Sequence, residues 1–352
     1  MIKTLSPYYF EIPWLSPLTG AQAFYYTLSL YIWEGDIANV PAQPQYSLTK
    51  INVAELDTTD KISVSRLIND YLNFAPDTTL GIVAGNNAVW VRKEIVYSTT
   101  DPLDDGVVQL QTDDLAIKGY GYGMEGENPQ PPLDKVYIQG DEFKANRSSI
   151  FSFPVEADGT NITVVSFPNN EINDVYGTTA NMSLSGEIIR LLNIDLIQAI
   201  TDDYVVVTYG LKQIYIGLED EGKYTPVQIY FMNKEGQQSS VTLFKERRES
   251  LTVTKQTYEN DFAQPSDGIH QYVDLNVQGR TKLTVSTGYH DESENQTFKE
   301  LLLSTRVYEL NNGVLVPLNV KQSTLDYKTR QNDKMINYEI EFEYSFNDIN
   351  NI

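Results

Sequence analysis

The stretch that decides the fold runs IHQYVDLNVQGRTKLTVSTGY (269–289), DESENQTFKELLLS (291–304), TRVYELNNGVLVPLNVKQ (305–322) and INYEIEFEYSF (336–346). Short runs of β-branched and aromatic residues alternate with polar ones, the period of strands with one buried face. Asn312-Gly313, set between YEL and VLV, is the strongest short-range hairpin signal, because both residues tolerate the positive φ of a tight turn. In the last run Ile340, Phe342, Tyr344 and Phe346 alternate with Glu339, Glu341, Glu343 and Ser345, which predicts one buried face and one acidic face. Between these strands lies one helix. Phe298, Leu301 and Leu302 recur at three- and four-residue spacing, and Asp291 or Ser293 can cap its start.

Moving toward the N-terminus, AFYYTLSLYIWEG (23–35) sets Phe24, Tyr26, Leu28, Leu30 and Ile32 against Tyr25, Thr27, Ser29, Tyr31 and Trp33, a strand with one strongly apolar face. YSLTKI (46–51) and AVWVRKEIVYS (88–98) repeat the theme, and VSRLINDYL (64–72) places Leu67, Ile68, Tyr71 and Leu72 on one helical stripe. The fold class expected is mainly β: two or three β-sandwich-like domains, with a C-terminal β domain carrying one short α-helix. The turn-rich TTDPLDDG (99–106) and NDFAQPSDG (260–268) divide the chain into an N-terminal β-sandwich (1–100), a central β-rich domain (101–260) and the C-terminal domain (261–352).

Charge and composition exclude several function classes. The 352 residues carry 48 acidic and 26 basic side chains, a formal net charge of -22, whereas nucleic acids and anionic membranes demand clustered Lys and Arg. The one basic patch, Lys245, Arg247 and Arg248, is interleaved with Glu246 and Glu249 and reads as a solvated strand end. The absence of cysteine excludes disulfides and thiol chemistry. MIKTLSPYYFEIPW has prolines where a secretory signal needs an apolar run, so intracellular synthesis is expected. No stretch reaches the roughly 18 apolar residues of a membrane span. The 24 tyrosines suit half-buried strands and protein interfaces alike.

No motif predicts a catalytic residue, a cofactor or a metal. Gly121, Gly123 and Gly126 spell the dinucleotide fingerprint, but Pro129, Pro131 and Pro132 forbid the helix its mechanism needs. The segment is instead a Gly/Tyr-rich loop suited to contact. His270 and His290 have no neighbouring ligand or triad pattern and read as surface residues. Carboxylate pairs such as Asp57/Asp60, Asp104/Asp105, Asp113/Asp114, Asp202/Asp203 and Glu219/Asp220/Glu221 are expected by chance in so acidic a chain, and none forms a calcium-loop motif. An irregular calcium site stays open at Asp101, Asp104 and Asp105.

Several phrases are similar as a set to one family. PYYFEIPWLSPLTG, YTLSLYIWEG, IKGYGYGMEGENP, VQIYFMNKEGQQSSVTLFKERRESLTVTKQTYE, VSTGYHDESENQTFKELLLSTRVYEL and LDYKTRQNDKMINYEIEFEYSF resemble structural proteins of tailed-bacteriophage virions, from flavobacterial and crAss-like phages of Bacteroidetes hosts. The resemblance implies a tail, baseplate or neck component, made in the host cytoplasm and located in the virion. It would assemble with itself and other virion proteins into a ring or trimer, and without a shaft-like repeat it would be a compact hub or adaptor. The contact surfaces expected are the 119–132 loop, with Tyr120, Tyr122, Met124 and Asn128, and the strand 336–346, with Tyr338, Phe342 and Tyr344. The alternative is a carbohydrate- or receptor-binding module for host-surface glycan, with Trp14, Trp90 or Tyr122 as stacking platforms. A β-sandwich hydrolase ranks last.

Overall fold

The alternation in 23–35 builds a long strand at the heart of the first sheet. That strand, β3 (Ala23–Trp33), lies between β4 (Tyr46–Val53) and β7 (Ala88–Ser98), and β8 (Val108–Ile117) and β1 (Ile2–Lys3) complete the order β1-β8-β7-β3-β4. In this computed structural model the chain is described at residues 1–12, 23–53, 60–85, 87–98, 108–158, 160–169, 180–181, 189–261, 266, 268–290, 292–321 and 336–349. Tyr26, Leu28, Leu30 and Ile32 are buried as their spacing requires. A ribbon of β2 (Tyr9–Ile12) and β5 (Asp60–Ser63) covers them with Phe10 and Ile12, and the helix α1 (Ser65–Asn69) adds Ile68. Of the predicted helical stripe, Ile68 and Leu72 are buried, while Tyr71 stays at the surface.

Two further sheets share a second core. One is β6 (Gly81–Ala84), β10 (Ile150–Glu156) and β13 (Ile189–Asp195), in the order β10-β13-β6. The other is β9 (Glu142–Asn146), β11 (Asn161–Phe167), β12 (Ala180–Asn181), β14 (Tyr204–Tyr209) and β15 (Lys212–Glu219), in the order β12-β11-β14-β15-β9. Phe143, Phe151, Phe153, Val164, Leu192, Val207 and Ile216 fill the space between them.

The fourth sheet has seven strands: β16 (Val227–Met232), β17 (Gln238–Leu243), β18 (Arg247–Glu259), β19 (Tyr272–His290), β20 (Val307–Asn311), β21 (Val314–Val320) and β22 (Ile336–Tyr344), in the order β17-β16-β20-β21-β22-β19-β18. It curls toward closure, since the amides of Phe244 and Lys245 donate to the carbonyls of Thr287 and Ser286 at 3.3 and 3.1 Å. The helix α2 (Asn295–Leu303) plugs it with Phe298 and Leu301. Asn312 and Gly313 adopt φ of 50° and 78° between the paired Asn311 and Val314, as the hairpin signal predicts. The helix starts differently from expectation. A 3-10 turn over Glu292–Glu294 precedes it, Glu294 occupies the cap position without a side-chain cap bond, Ser293 lies inside that turn, and Asp291 falls outside the described residues.

Strands hold 55% of the chain and helix 9%, which makes it mainly β with a short helix near the C-terminus. The expected divisions do not follow the pairing. Strand β8, beyond residue 100, belongs to the first sheet, whereas β6, before it, pairs with β13. Likewise β16, β17 and β18, before residue 260, hydrogen-bond into one sheet with β19 to β22. Turn composition marks where the chain reverses; it carries no information on which strand the chain returns to.

Strands β16 and β17 are buried on both faces. Val227, Ile229, Phe231, Val241 and Leu243 face the seven-stranded core. Their polar neighbours face β10, an edge strand, and satisfy it. Gln228 Nε2 and Ser240 Oγ donate to the Ile150 carbonyl at 2.5 and 3.2 Å, and Gln238 Nε2 donates to Ser152 Oγ at 2.8 Å.

The turn joining these two strands, Asn233 to Gln237, is buried entirely. Its Tyr120-facing carbonyl, that of Lys234, accepts from the Tyr120 amide at 2.8 Å. Asn233 Nδ2 donates to the Tyr137 carbonyl at 2.6 Å, and Asn87 Nδ2 donates to the Gly236 carbonyl. Glu235 forms a buried salt bridge with Lys3 of β1 at 2.8 Å, both side chains being almost fully enclosed. Gly236 is obligatory, because its φ is +71° and a Cβ would lie 2.5 Å from the Lys118 carbonyl carbon.

Removing one member of a buried ion pair strands the other charge, at a cost of about 3–5 kcal/mol. Lys3→Ala is therefore expected to lower the free energy of urea unfolding by about that much. The double change Lys3→Met with Glu235→Leu, which leaves no stranded charge, should recover most of the loss.

Candidate interaction arm

The structure places the sequence-predicted contact residues in two settings, neither of them a projecting surface as a whole. The 119–132 loop is stitched down along its length. The Gly119 carbonyl accepts from the Leu5 amide at 2.9 Å, the Gly121 amide donates to Ser6 Oγ at 2.6 Å, and the Asn128 amide donates to the Pro7 carbonyl at 3.1 Å. Asn128 also bonds both backbone groups of Tyr9 through its side chain, at 2.8 and 3.2 Å. Tyr122 lies under two ammonium groups, Lys299 at 3.7 Å and Lys234 at 4.6 Å from its ring centre. Tyr120 packs edge-on against it, and burial drives the Tyr120 phenol well above its ordinary value. Of the four, Met124 alone stands fully in solvent. The loop is a seam between the first and the seven-stranded sheets. Its Gly/Tyr-rich composition suggested a contact loop, and its backbone groups find partners within this chain, in segments far away in sequence.

The terminal strand is corrected more strongly. Tyr338, Phe342 and Tyr344 belong to the core, and β22 has β21 on one side at Phe342–Tyr344 and β19 on the other. Its outward row is acidic as predicted at Glu339 and Glu341, but Glu343 is buried between Lys321 at 2.8 Å and Arg280 at 3.3 Å. The hydrogen bond from Lys321, aided by Arg280, holds the Glu343 carboxyl below the usual range. Phe346, beyond the strand end, is exposed.

The feature that does project is the ribbon of β18 and β19. Strand β19 is 19 residues long but pairs with β22 only from Lys282 onward. Before that point, among the described residues, β18 is the one strand paired with it. From Leu251 to Glu259 the ribbon extends roughly 30 Å at 3.3 Å per residue. Every residue of β18 from Arg248 to Glu259 is exposed, as are Tyr272, Asp274, Leu275 and Asn276 on its partner. Lys255 opposes both Asn276 and Val277, a β-bulge in which Asn276 takes φ of 50°, and bulges bend and twist a ribbon locally. One face carries a polar ladder, with Lys255 Nζ and Thr257 Oγ1 on Asp274 at 2.7 and 2.8 Å. The other face sets Tyr258 against Val273, beside Leu275. At the root, Asp348 braces the ribbon through the Gly279 carbonyl and Thr281 Oγ1, at 2.9 and 3.0 Å.

The arm was not singled out from sequence, although LTVTKQTYE and YVDLNVQG carry apolar residues at alternate positions. That pattern reads as a half-buried strand, and only the pairing reveals that no described strand other than β18 and β19 covers it. Other candidates resolve into structure. His270 is exposed, but His290 is buried beneath α2, with Nδ1 2.7 Å from Glu294 Oε2, Nε2 2.9 Å from the Thr287 carbonyl, and its ring against Phe298. Asp113, Asp114, Glu219 and Asp220 pair with Arg92, Lys93, Lys144 and Arg147 at 2.5–3.0 Å rather than with one another. Trp90 is half-buried and donates to the Gly35 carbonyl at 3.1 Å. Trp14, Asp101, Asp104 and Asp105 lie outside the described residues. Among the described residues no helix is long and apolar enough to cross a membrane, and no group of three His, Asp or Glu side chains could hold a metal.

No family model matches the chain, and no curated protein or solved structure matches it either.

Glu300 of α2 closes the seam from below, accepting from the Lys234 amide at 3.3 Å and from Gln296 Nε2 at 3.1 Å. Burial raises its pKa from 4.5 to about 7, against the opposing pull of those two donors. Because the folded value lies above the unfolded one, this group favours the fold below about pH 4.5 and loses that contribution as pH rises through about 7. Glu300→Gln keeps the acceptor oxygen without the charge. It is expected to match the parent near pH 4 and exceed it by about 2–3 kcal/mol at pH 8 in denaturant unfolding.

Proposed function

We propose that this chain is a structural protein that joins neighbouring copies of itself into a larger assembly, as a tail, baseplate or neck component of a phage virion. The observation that carries the assembly reading is the arm. A two-stranded ribbon is marginally stable in water by itself, and an exposed edge strand with apolar side chains is a template for pairing. Here the exposed side chains of Leu251, Val253, Tyr258, Tyr272 and Leu275 are held out from the body on a braced root. Two edges near the centre of the molecule are handled differently, β10 being satisfied by side chains and β17 buried, whereas β18 is an edge whose residues stand exposed.

The partner is a second copy. Antiparallel pairing of two β18 strands centred on Val253 sets Arg247 opposite Glu259, Leu251 opposite Lys255 and Thr252 opposite Thr254. No like charges meet, and opposite charges and Thr pairs directly across strands are favourable. The virion part of the reading rests on the sequence resemblance, with which an arm-linked, mainly β protein is compatible.

Replacing residues 252–280 by Asn-Gly removes Val253 and joins the directly paired Leu251 and Thr281 through a two-residue turn. The shortened protein is expected to keep the parent's circular dichroism and to be monomeric by light scattering at concentrations where the parent is oligomeric. A parent that stays monomeric across the series, or a shortened protein that assembles equally well, would remove the arm from this role.

A further inference from the structure

The outer face of the sheet β12-β11-β14-β15-β9 carries a second surface, independent of the arm. The pairing register lines up Phe167, Tyr204, Gly217 and Lys144 in one row, and Val165, Val206, Tyr215 and Glu142 in the next. These positions alternate with the core residues Val205, Val207, Ile214 and Ile216, so they face away from the core. Phe167, Tyr204 and Tyr215 are 37%, 40% and 43% exposed, high values for aromatic side chains within strands.

The Phe167 and Tyr204 rings stack at 5.1 Å with 16° between their planes. Phe167 thereby covers one face of Tyr204 and leaves the other turned toward β15. On that strand Gly217 leaves a gap. Tyr204, Gly217 and Tyr215, with Glu142 and Lys144 at the rim, line an open cleft of 300 Å³. That volume is at the lower end of the roughly 300–1,000 Å³ of small-molecule sites.

Glycine inside a strand weakens it, and often marks a place where a ligand comes close. At 217 neither backbone nor packing calls for glycine. Its φ is not positive, and the nearest atom to an added Cβ is the Phe143 carbonyl oxygen at 3.8 Å, an ordinary contact. What glycine does here is keep the floor open beside the Tyr204 ring. The rim is polar and of both signs. Lys144 Nζ is fixed by Glu219 at 3.0 Å and by the Tyr289 carbonyl at 3.1 Å, and Tyr215 donates to Gln213 Oε1 at 3.1 Å.

A ligand that fits must present a flat apolar face to the rings and hydrogen-bonding groups around its edge, which describes a pyranose. Glu142 and Glu294 line the cleft against the single cation Lys144, itself paired with Glu219, which disfavours phosphorylated or uronic-acid chains. We propose that this cleft binds the pyranose rings of a neutral polysaccharide, with Tyr204 as the stacking platform and Gly217 as the open floor.

The test is native affinity electrophoresis of the full-length protein through gels cast with dextran, mannan, xylan or alginate. Retardation is expected in at least one of the three neutral gels. It should fall at least tenfold in apparent affinity for Tyr204→Ala and for Gly217→Gln, and persist in Tyr204→Trp and in the arm-shortened protein. Circular dichroism of Gly217→Gln should match the parent, since the added side chain points into open space. The proposal is overturned by free migration in every neutral gel, by retardation in alginate alone, or by retardation that the two variants leave unchanged. It is equally overturned if Gly217→Gln alters the oligomeric mass, which would make the face a protein interface.

Discussion

The buried pair of Lys3 and Glu235 ties together segments that the sequence separates by more than two hundred residues, and the rest of the architecture depends on the turn it anchors. A hairpin turn normally lies at the surface, where water satisfies its backbone groups. This one, Asn233 to Gln237, is enclosed, and its polar groups are met by Tyr120, Tyr137, Asn87 and Lys3. These bonds specify one mutual placement of the first sheet and the seven-stranded sheet, although Gln237 Nε2 and Asn87 Oδ1 stay buried without a hydrogen bond.

The same economy of edges runs through the molecule. The edge strand β10 finds side-chain partners in Gln228 and Ser240, and the curled seven-stranded sheet brings its own ends together at Ser286 and Thr287. Against that background an uncovered ribbon at β18 and β19 stands out. An arm of alternating Thr, Val and Tyr with a bulge at Lys255 is a form that gains stability by acquiring a partner.

Arm and aromatic cleft make different demands on a partner. The arm offers backbone hydrogen bonds and a row of side chains, the currency of sheet extension between proteins. The cleft offers one ring face over a bare glycine floor with a polar rim. The two surfaces occupy different sheets, so one copy could be held in an assembly by the first while the second remains open to a ligand.

Local sequence determined the strands, the Asn312-Gly313 turn, the Phe298 and Leu301 face of the helix, and the outward acids Glu339 and Glu341, because each depends on neighbours within a few residues. Composition likewise set the acidic charge. Tertiary structure alone decided which edges were covered. Tyr338, Phe342 and Tyr344 are core because β22 falls between two strands, and the 119–132 loop is a seam because Lys234 and Pro7 come to meet it. Gln238 and Ser240 are buried, though their polarity suggests solvent, because Gln238 bonds both backbone groups of Asp77 and Ser240 donates to the Ile150 carbonyl of an edge strand. Conversely, Leu251, Tyr258 and Leu275 have the pattern of buried residues and remain exposed. Periodicity reports that a side chain has an apolar face; whether another part of the chain arrives to cover it is a matter of long-range pairing, which no local pattern encodes.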